Sequence, residues 1–362
     1  MQFRPLGQTG IDVSVIGFGN FVFGTNWWGD YSDEEGIRLQ NQAYDRGITF
    51  FDTGDAYGNG RAERLMAETI RYAGRDNLVI STKFGYDFYS DAGTEGSHKE
   101  RKQDFSPKFI RHALEQSLQR MKIDHIDLYQ AHNLKLPQYH DDLFSVLSQL
   151  KDEGKVKEWG VALGPAIGWR EEGIAAICER GAATVQTVFN LFEQAPGREF
   201  CELAEQSGSS VLARVPMNSG ILEDIFDENT TFGPNDHRKY RDRDWLIYGL
   251  KKVEKIRPIA SVHGWSIPQL AIKWLLRWDR LASIEPNILN QDQLNDWTAI
   301  CDDPTPLSDA EFAQLQRDYQ ADFGLGETAH PCLLKSSVGP EGTVRSEYVA
   351  PEMAEGRPQQ RV

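Results

Sequence analysis

Short apolar runs recur along this chain, and nearly every one is followed by a stretch of helical periodicity. Ile48-Thr49-Phe50-Phe51 ends on Asp52. Leu78-Val79-Ile80-Ser81-Thr82 ends on Lys83. Ile126-Asp127-Leu128-Tyr129-Gln130 stops just before His132. Further runs cover 156–163, 184–188, 210–214 and 281–285, and Val15-Ile16-Gly17-Phe18-Gly19 is the first. Apolar runs of this length read as parallel strands buried on both faces. Regular strand–helix alternation predicts a mostly parallel sheet. Eight such units predict an α/β fold, a (β/α)8 (TIM) barrel.

The helices between the strands carry their own start signals. Ser32-Asp33-Glu34-Glu35 and Ser266-Ile267-Pro268-Gln269 have capping-box spacing, and Ser308-Asp309-Ala310-Glu311 repeats it. Ser106-Pro107 opens a helix whose Ile110, Leu114, Leu118 and Met121 share one face. Other helices are expected near 61–72, 141–153, 170–179, 197–206, 245–256 and 291–300. Residues 2–15 predict a β-hairpin that plugs one end of the barrel. Loops 84–105 and 216–245 are polar and turn-rich, and the second reads as an insertion. The barrel domain is expected over 1–324. The tail, 325–362, is Gly/Pro/polar without a period, and is expected to be irregular, free or laid over the barrel mouth.

The formal charge of −15 argues against a nucleic-acid backbone as partner. Cys178, Cys201, Cys301 and Cys332 are scattered without CxxC spacing. That pattern fits free thiols in a reducing compartment, not a disulfide framework or a zinc site. No ligand cluster points to a metal. The N-terminus lacks the apolar core of a signal peptide, and no run is long enough to span a membrane. The expected setting is the cytoplasm, with no membrane partner. Neither GxGxxG after a strand nor GxxxxGK[ST] occurs. Oligomeric state leaves no trace in the sequence.

Strand C-termini and the loops after them converge on one face of such a barrel. Asp52, Lys83 and His132 therefore share a mouth with Tyr57, which lies on the Gly54–Gly58 loop after the second strand. Taken singly, these residues read as a turn acid, a solvated lysine, a core histidine and a packing tyrosine. Their arrival at the ends of consecutive strands favours a catalytic group.

Phe51-Asp52-Thr53-Gly54-Asp55-Ala56-Tyr57-Gly58, Ser81-Thr82-Lys83-Phe84-Gly85 and Ile126-Asp127-Leu128-Tyr129-Gln130-Ala131-His132 resemble the aldo-keto reductase family. So do Glu153-Gly154-Lys155-Val156-Lys157-Glu158-Trp159-Gly160-Val161, the Arg214-Val215-Pro216-Met217 to Gly220-Ile221-Leu222 stretch, and the region around Gln293-Leu294. The resemblance covers roughly 3–320. It implies a nicotinamide cofactor, NADP(H) by family default, extended across the C-terminal face, and a small-molecule carbonyl as substrate. Hydride addition to a carbonyl leaves an alkoxide that needs a proton. Tyr57 is the expected donor. A phenol titrates near ~10, and the Lys83 ammonium should lower that value. Asp52 would keep Lys83 charged and aimed, and His132 would orient the carbonyl.

The resemblance also places the cofactor on Gln186, Arg214, Pro216, Met217, Asn218, Gly220, Asn287 and Gln293, with Asn190 near the nicotinamide amide. Two departures stand out. Ala162-Leu163 stands where many members have Ser-Asn, which leaves backbone groups or Gln186 to meet the nicotinamide amide. Residues 285–296 contain no Lys or Arg but carry Glu285 and Asp292. Acids beside the adenosine ribose make NAD(H) a competitor for NADP(H). Trp27, Trp28, Tyr86, Phe88 and Tyr89 are expected around the substrate, where they could stack on a sugar or an aromatic aldehyde. Two other readings stay open: a cofactor-binding regulatory subunit, and a barrel enzyme of altered redox or lyase chemistry.

Overall fold

The computed structural model describes residues 1–25, 28–29, 31–90, 102–164, 169–233, 236–241, 243–326, 333–338, 344–349 and 360–361. A hairpin of β1 (Phe3–Pro5) and β2 (Asp12–Ser14) comes first. The barrel strands follow: β3 (Phe18–Gly19), β4 (Phe50–Asp52), β5 (Val79–Phe84), β6 (Ile126–His132), β7 (Val156–Ala162), β8 (Thr184–Val188), β9 (Ser210–Arg214) and β10 (Leu281–Glu285). Each pairs in parallel with the next, in sequence order. The ring closes where Gly17 N donates to Ile284 O at 2.8 Å and Ile284 N donates to Val15 O at 2.9 Å. The 15–19 run therefore serves both neighbours. Its first half meets β10, and only Phe18–Gly19 pairs with β4.

The hairpin plugs the barrel floor, as expected. Leu6 and Val13 are buried with Phe50, Leu128, Leu212 and Ala282. Arg4 fastens it: its guanidinium donates to Trp278 O and Leu281 O at 2.8 Å each, and to Leu276 O at 2.5 Å. These carbonyls border the start of β10, so one side chain ties the plug to the last strand.

The outer helices are α1 (Phe21–Gly24), α2 (Asp33–Asp45), α3 (Arg61–Ala73), α4 (Pro107–Met121), α5 (Asp141–Asp152), α6 (Arg170–Ile174), α7 (Gly197–Ser207), α8 (Arg243–His263), α9 (Ile267–Leu275), α10 (Gln291–Ala299) and α11 (Asp309–Gln320). All three capping boxes form, on Ser32, Ser266 and Ser308. Ile110, Leu114, Leu118 and Met121 of α4 are buried, as their spacing predicts.

Four differences from the sequence reading have physical causes. Helix α8 continues past 256 and carries Pro258 inside it, because Val253, Ile256 and Ala260 are buried on both sides of the proline. Helix α6 opens into a π-helical turn over Ala175–Glu179. The 216–245 insertion is not merely polar loop. Its Phe226 and Phe232 pack edge to face, and the Arg238 guanidinium lies 5.3 and 4.9 Å from their rings. The tail is not wholly irregular either. Leu333–Val338 pairs antiparallel with Val344–Val349, which pairs with Gln360–Arg361.

Arg4→Met should test the plug. It leaves three carbonyls without their charged donor, which should cost about 1.5–3 kcal/mol of unfolding free energy. Denaturant unfolding would read this, and a loss below about 0.5 kcal/mol would show that the hairpin is held by its apolar contacts alone.

Candidate active site

Asp52 is the last residue of β4, and its side chain turns into the barrel with only 4% exposure. A carboxylate so enclosed needs donors. Lys83 of β5 supplies an ion pair to Oδ2. Ser81 Oγ donates to Oδ1 at 2.8 Å, and Gln130 Nε2 of β6 donates to the same atom at 3.1 Å. Gln130 also donates to Ser81 Oγ at 2.8 Å, which locks the three together. Lys83 is 1% exposed and makes a second bond to Thr53 O at 2.7 Å. Burial alone would lower its pKa. The surrounding acidic groups, Asp52 first, outweigh that and carry it above the ordinary lysine value, so the ammonium stays charged. Ser81 and Gln130 were missed in the sequence. They are the second residues inward from Lys83 and His132, and a period of two would have found them.

Tyr57 follows β4 on a tight loop. Gly58 has φ 58°, and a Cβ there would lie 2.0 Å from Gly24 O. Gly24 has the matching role: its Cβ would lie 2.7 Å from Tyr57 Cβ. The loop therefore seats directly on α1, and the phenol is pressed into the mouth. Lys83 Nζ lies 5.0 Å from the ring centroid. The His132 ring stands edge-on to Tyr57 at 5.8 Å and to Tyr86 at 4.9 Å. Acid, cation, imidazole and phenol thus share one mouth.

The protonation pattern is partly unlike the expectation. Burial raises the Tyr57 phenol, and Lys83 recovers only part of that rise, so the net shift is upward. The phenol is fully protonated near neutrality. His132 moves well below the ordinary histidine value, first through burial and then through Lys83 and Arg214. It is a neutral imidazole, and its enclosed Nδ1 has no protein partner.

A second polar pair sits beside the first. Gln186 of β8 donates through Nε2 to Glu285 Oε2 of β10 at 2.6 Å. Asp52, Gln130, Gln186 and Glu285 come from β4, β6, β8 and β10, every second strand, as the side chains of one barrel layer do. The sequence had set Glu285 beside an adenosine ribose. The fold instead buries it at 5% exposure, within the fields of Asp52, Lys83 and Arg214. Arg214 ends β9; burial lowers its pKa, and its Nε has no partner.

The remaining expected residues divide. Met217, Asn218 and Gly220 form a buried turn after β9, with Pro216 leading in, and residues 218–220 have positive φ. Arg241 donates to Ser219 Oγ at 3.0 Å and Arg238 to Ser219 O at 3.4 Å, so the insertion covers this turn with guanidinium groups. Asn287 flanks β3, its Oδ1 3.9 Å from where a Gly19 Cβ would stand. Gln293 of α10 bonds Glu223 Oε2 at 2.8 Å through Nε2 and accepts from Leu289 N at 2.8 Å. Asn190 is spent as a loop staple, on Glu193, Val215 O, Phe192 N and Asn218. Of the aromatics, Tyr86 reaches His132, and Asn133 donates to its hydroxyl at 2.7 Å. Phe88 and Tyr89 stack on each other and lie under Arg120 of α4. Trp28 lies against Arg238, and Trp27 falls outside the described residues. Phe21 of α1, not foreseen, meets Tyr57 edge to face at 5.0 Å.

Among the described residues, no group of three or more His, Cys, Asp or Glu could hold a metal ion, and no helix is long and apolar enough to cross a membrane. Comparison with known proteins agrees with the geometry. The chain is 27% identical to an NADH-specific methylglyoxal reductase of Escherichia coli, over 88% of this chain and 98% of that one. It is 28% identical to an aldo-keto reductase of Bacillus subtilis, over 76% and 81%. The solved glycerol dehydrogenase of Gluconobacter oxydans has the same fold, with a TM-score of 0.75 at 23% identity over 88% and 95%. The model of the aldo/keto reductase family matches residues 15–319. The chain belongs to that family, and it is an NAD(P)-dependent oxidoreductase.

Proposed function

We propose that the protein reduces aldehydes or ketones to alcohols, with Tyr57 as the general acid. The observation that carries this reading is the Lys83 ammonium held on Asp52 beneath the Tyr57 ring, with neutral His132 edge-on to the same ring. A dihydronicotinamide bound at this mouth would supply the hydride that the carbonyl carbon takes. The Tyr57 hydroxyl gives its proton to the carbonyl oxygen as negative charge develops there. Lys83 then faces a phenolate and stabilises it, which is why its charge has to survive burial. His132 can donate one hydrogen bond to the same oxygen and hold it near Tyr57. Phe21, Tyr57, Tyr86 and His132 give the mouth an aromatic wall. That wall suits a small or aromatic aldehyde, and a 2-oxoaldehyde of the kind named for the Escherichia coli relative is a fitting first substrate.

The cofactor site follows from the ends of β8, β9 and β10. Unpartnered buried atoms there, Arg214 Nε and Glu285 Oε1, mark a polar cradle that the protein alone does not satisfy. The 218–220 turn under Arg238 and Arg241 would hold the diphosphate. Cations for an additional 2′-phosphate are scarce. Arg238 is held on Asp236 at 2.6 Å, and Arg257 on Asp224 and Glu254. Gln293, which the resemblance places at the cofactor, is neutral and bonded to Glu223. NAD(H) should therefore bind at least as well as NADP(H).

Tyr57→Phe should lower turnover of a small aldehyde by about a hundred- to ten-thousandfold, with the Kd for reduced cofactor unchanged. Near wild-type turnover would sink the assignment. Fluorescence titration of the wild type with NADH and NADPH should give Kd values within about tenfold, or favour NADH. A preference for NADPH beyond about a hundredfold would mean that a cation outside the 285–296 segment reaches the 2′-phosphate.

A further inference from the structure

Proton transfer through Tyr57 leaves one feature of the mouth unused. Glu285 is a buried acid whose Oε1 has no partner, although Oε2 accepts from Gln186 Nε2 at 2.6 Å. Burial first, and then Asp52, push this carboxyl well above the ordinary range, against the pull of Lys83 and Arg214. Burial and Asp52 both favour its neutral, protonated form. With Oε2 taken by a donor, its proton belongs on Oε1, which is thus an enclosed O–H donor without an acceptor. Such a donor in a packed barrel calls for a ligand atom.

The neighbouring strand explains what is lacking there. Ala162 and Leu163 are buried and apolar. Their backbone is partly engaged. Ala162 O accepts from Asn133 N at 2.7 Å, and Leu163 N donates to Gln186 O at 2.9 Å. Leu163 N–H is thus spent as a donor, and Ala162 O keeps one lone pair. Gln186 keeps its side-chain oxygen as an acceptor while Glu285 fixes its nitrogen. The pair offers one O–H donor and one carbonyl acceptor on adjoining side chains, the complement of a primary amide. Gly17 packs against Glu285: a Cβ there would lie 3.4 Å from Glu285 Cγ, 3.0 Å from Ser283 Oγ and 2.8 Å from the Phe50 ring.

We propose that Glu285 and Gln186 together form the seat of the nicotinamide carboxamide, with Glu285 donating to its oxygen and Gln186 accepting from its nitrogen. This rests on the cofactor reading given above. Glu285 is a positioning residue: it sets the ring that carries the hydride and takes no part in the proton transfer.

The test compares two ligands, NADH and ADP-ribose, which lacks the nicotinamide, by fluorescence or calorimetric titration. Glu285→Met keeps the volume and removes both oxygens. It should weaken NADH by about ten- to a hundredfold and change ADP-ribose by less than about threefold. Equal losses for both ligands would show a structural role, and no loss for either would show that the carboxamide lies elsewhere; each overturns the proposal. Should Glu285→Met fail to fold, Glu285→Gln and the wild type decide it through pH. The charged groups facing Glu285 are Asp52 of β4, Lys83 of β5 and Arg214 of β9. The acid form makes the bond, so the wild-type advantage of NADH over ADP-ribose should shrink as pH rises through the Glu285 titration. In Glu285→Gln, whose amide can both accept and donate, the advantage should be flat with pH. Parallel profiles in the two proteins would overturn the proposal. A wild type that binds ADP-ribose but gains nothing from the nicotinamide would do the same. Binding of neither ligand would instead overturn the cofactor reading beneath it.

Discussion

The ion pair between Lys83 and Asp52 is the constraint on which the rest of the mouth depends. Two charges are nearly removed from water at the ends of adjacent parallel strands. Breaking a buried pair by removing one partner costs about 3–5 kcal/mol, whereas a well-packed apolar pair could be as stable or more so. Stability therefore does not explain the pair. What it provides is a fixed positive charge under a phenol, inside a largely buried barrel mouth. Ser81, Gln130 and the Thr53 carbonyl complete its bonding, so the charge is fixed in place as well as present.

That charge sets the character of its neighbours. It holds the Tyr57 phenol below where burial would carry it, and helps to keep His132 neutral. The result is a resting site with its proton on the phenol and an uncharged imidazole beside it. Such a site is ready to give a proton to a developing alkoxide, and Lys83 favours the phenolate that remains. Burial and Asp52 push Glu285 towards its protonated form, against the pull of Lys83 and Arg214.

The sequence made the barrel and Asp52, Tyr57, Lys83 and His132 legible for one reason. Parallel strands buried on both faces are read from short apolar runs, and a charged residue at the end of such a run has only the mouth to enter. Glu285 is misplaced when read with the 285–296 segment, beside the adenosine ribose. Strict alternation from Ala282, which packs against the plug, would turn Ile284 inward and Glu285 out. The register between β10 and β9 shifts between Leu281 and Ser283, and that bulge reverses the parity. Ile284 therefore joins the outer core, and Glu285 meets Gln186. Bulges leave no reliable mark in residue type. Asn190 has another role: three of its hydrogen bonds close its own loop on Phe192 and Glu193, and two, to Val215 O and Asn218, depend on the chain's return after β9. The rise of the Tyr57 pKa was also out of reach, since it depends on how far Gly24 and Gly58 let the loop press the phenol out of water.

The most direct measurement of the central claim is the titration of Tyr57 itself, by NMR of ring-labelled tyrosine, in the wild type and in Lys83→Met. The Lys83 ammonium is the main influence opposing burial at Tyr57. The Tyr57 pKa should therefore rise by a unit or more, roughly 1.4 kcal/mol, when that charge is removed and the fold is retained. An unchanged or lower Tyr57 pKa in Lys83→Met would contradict it.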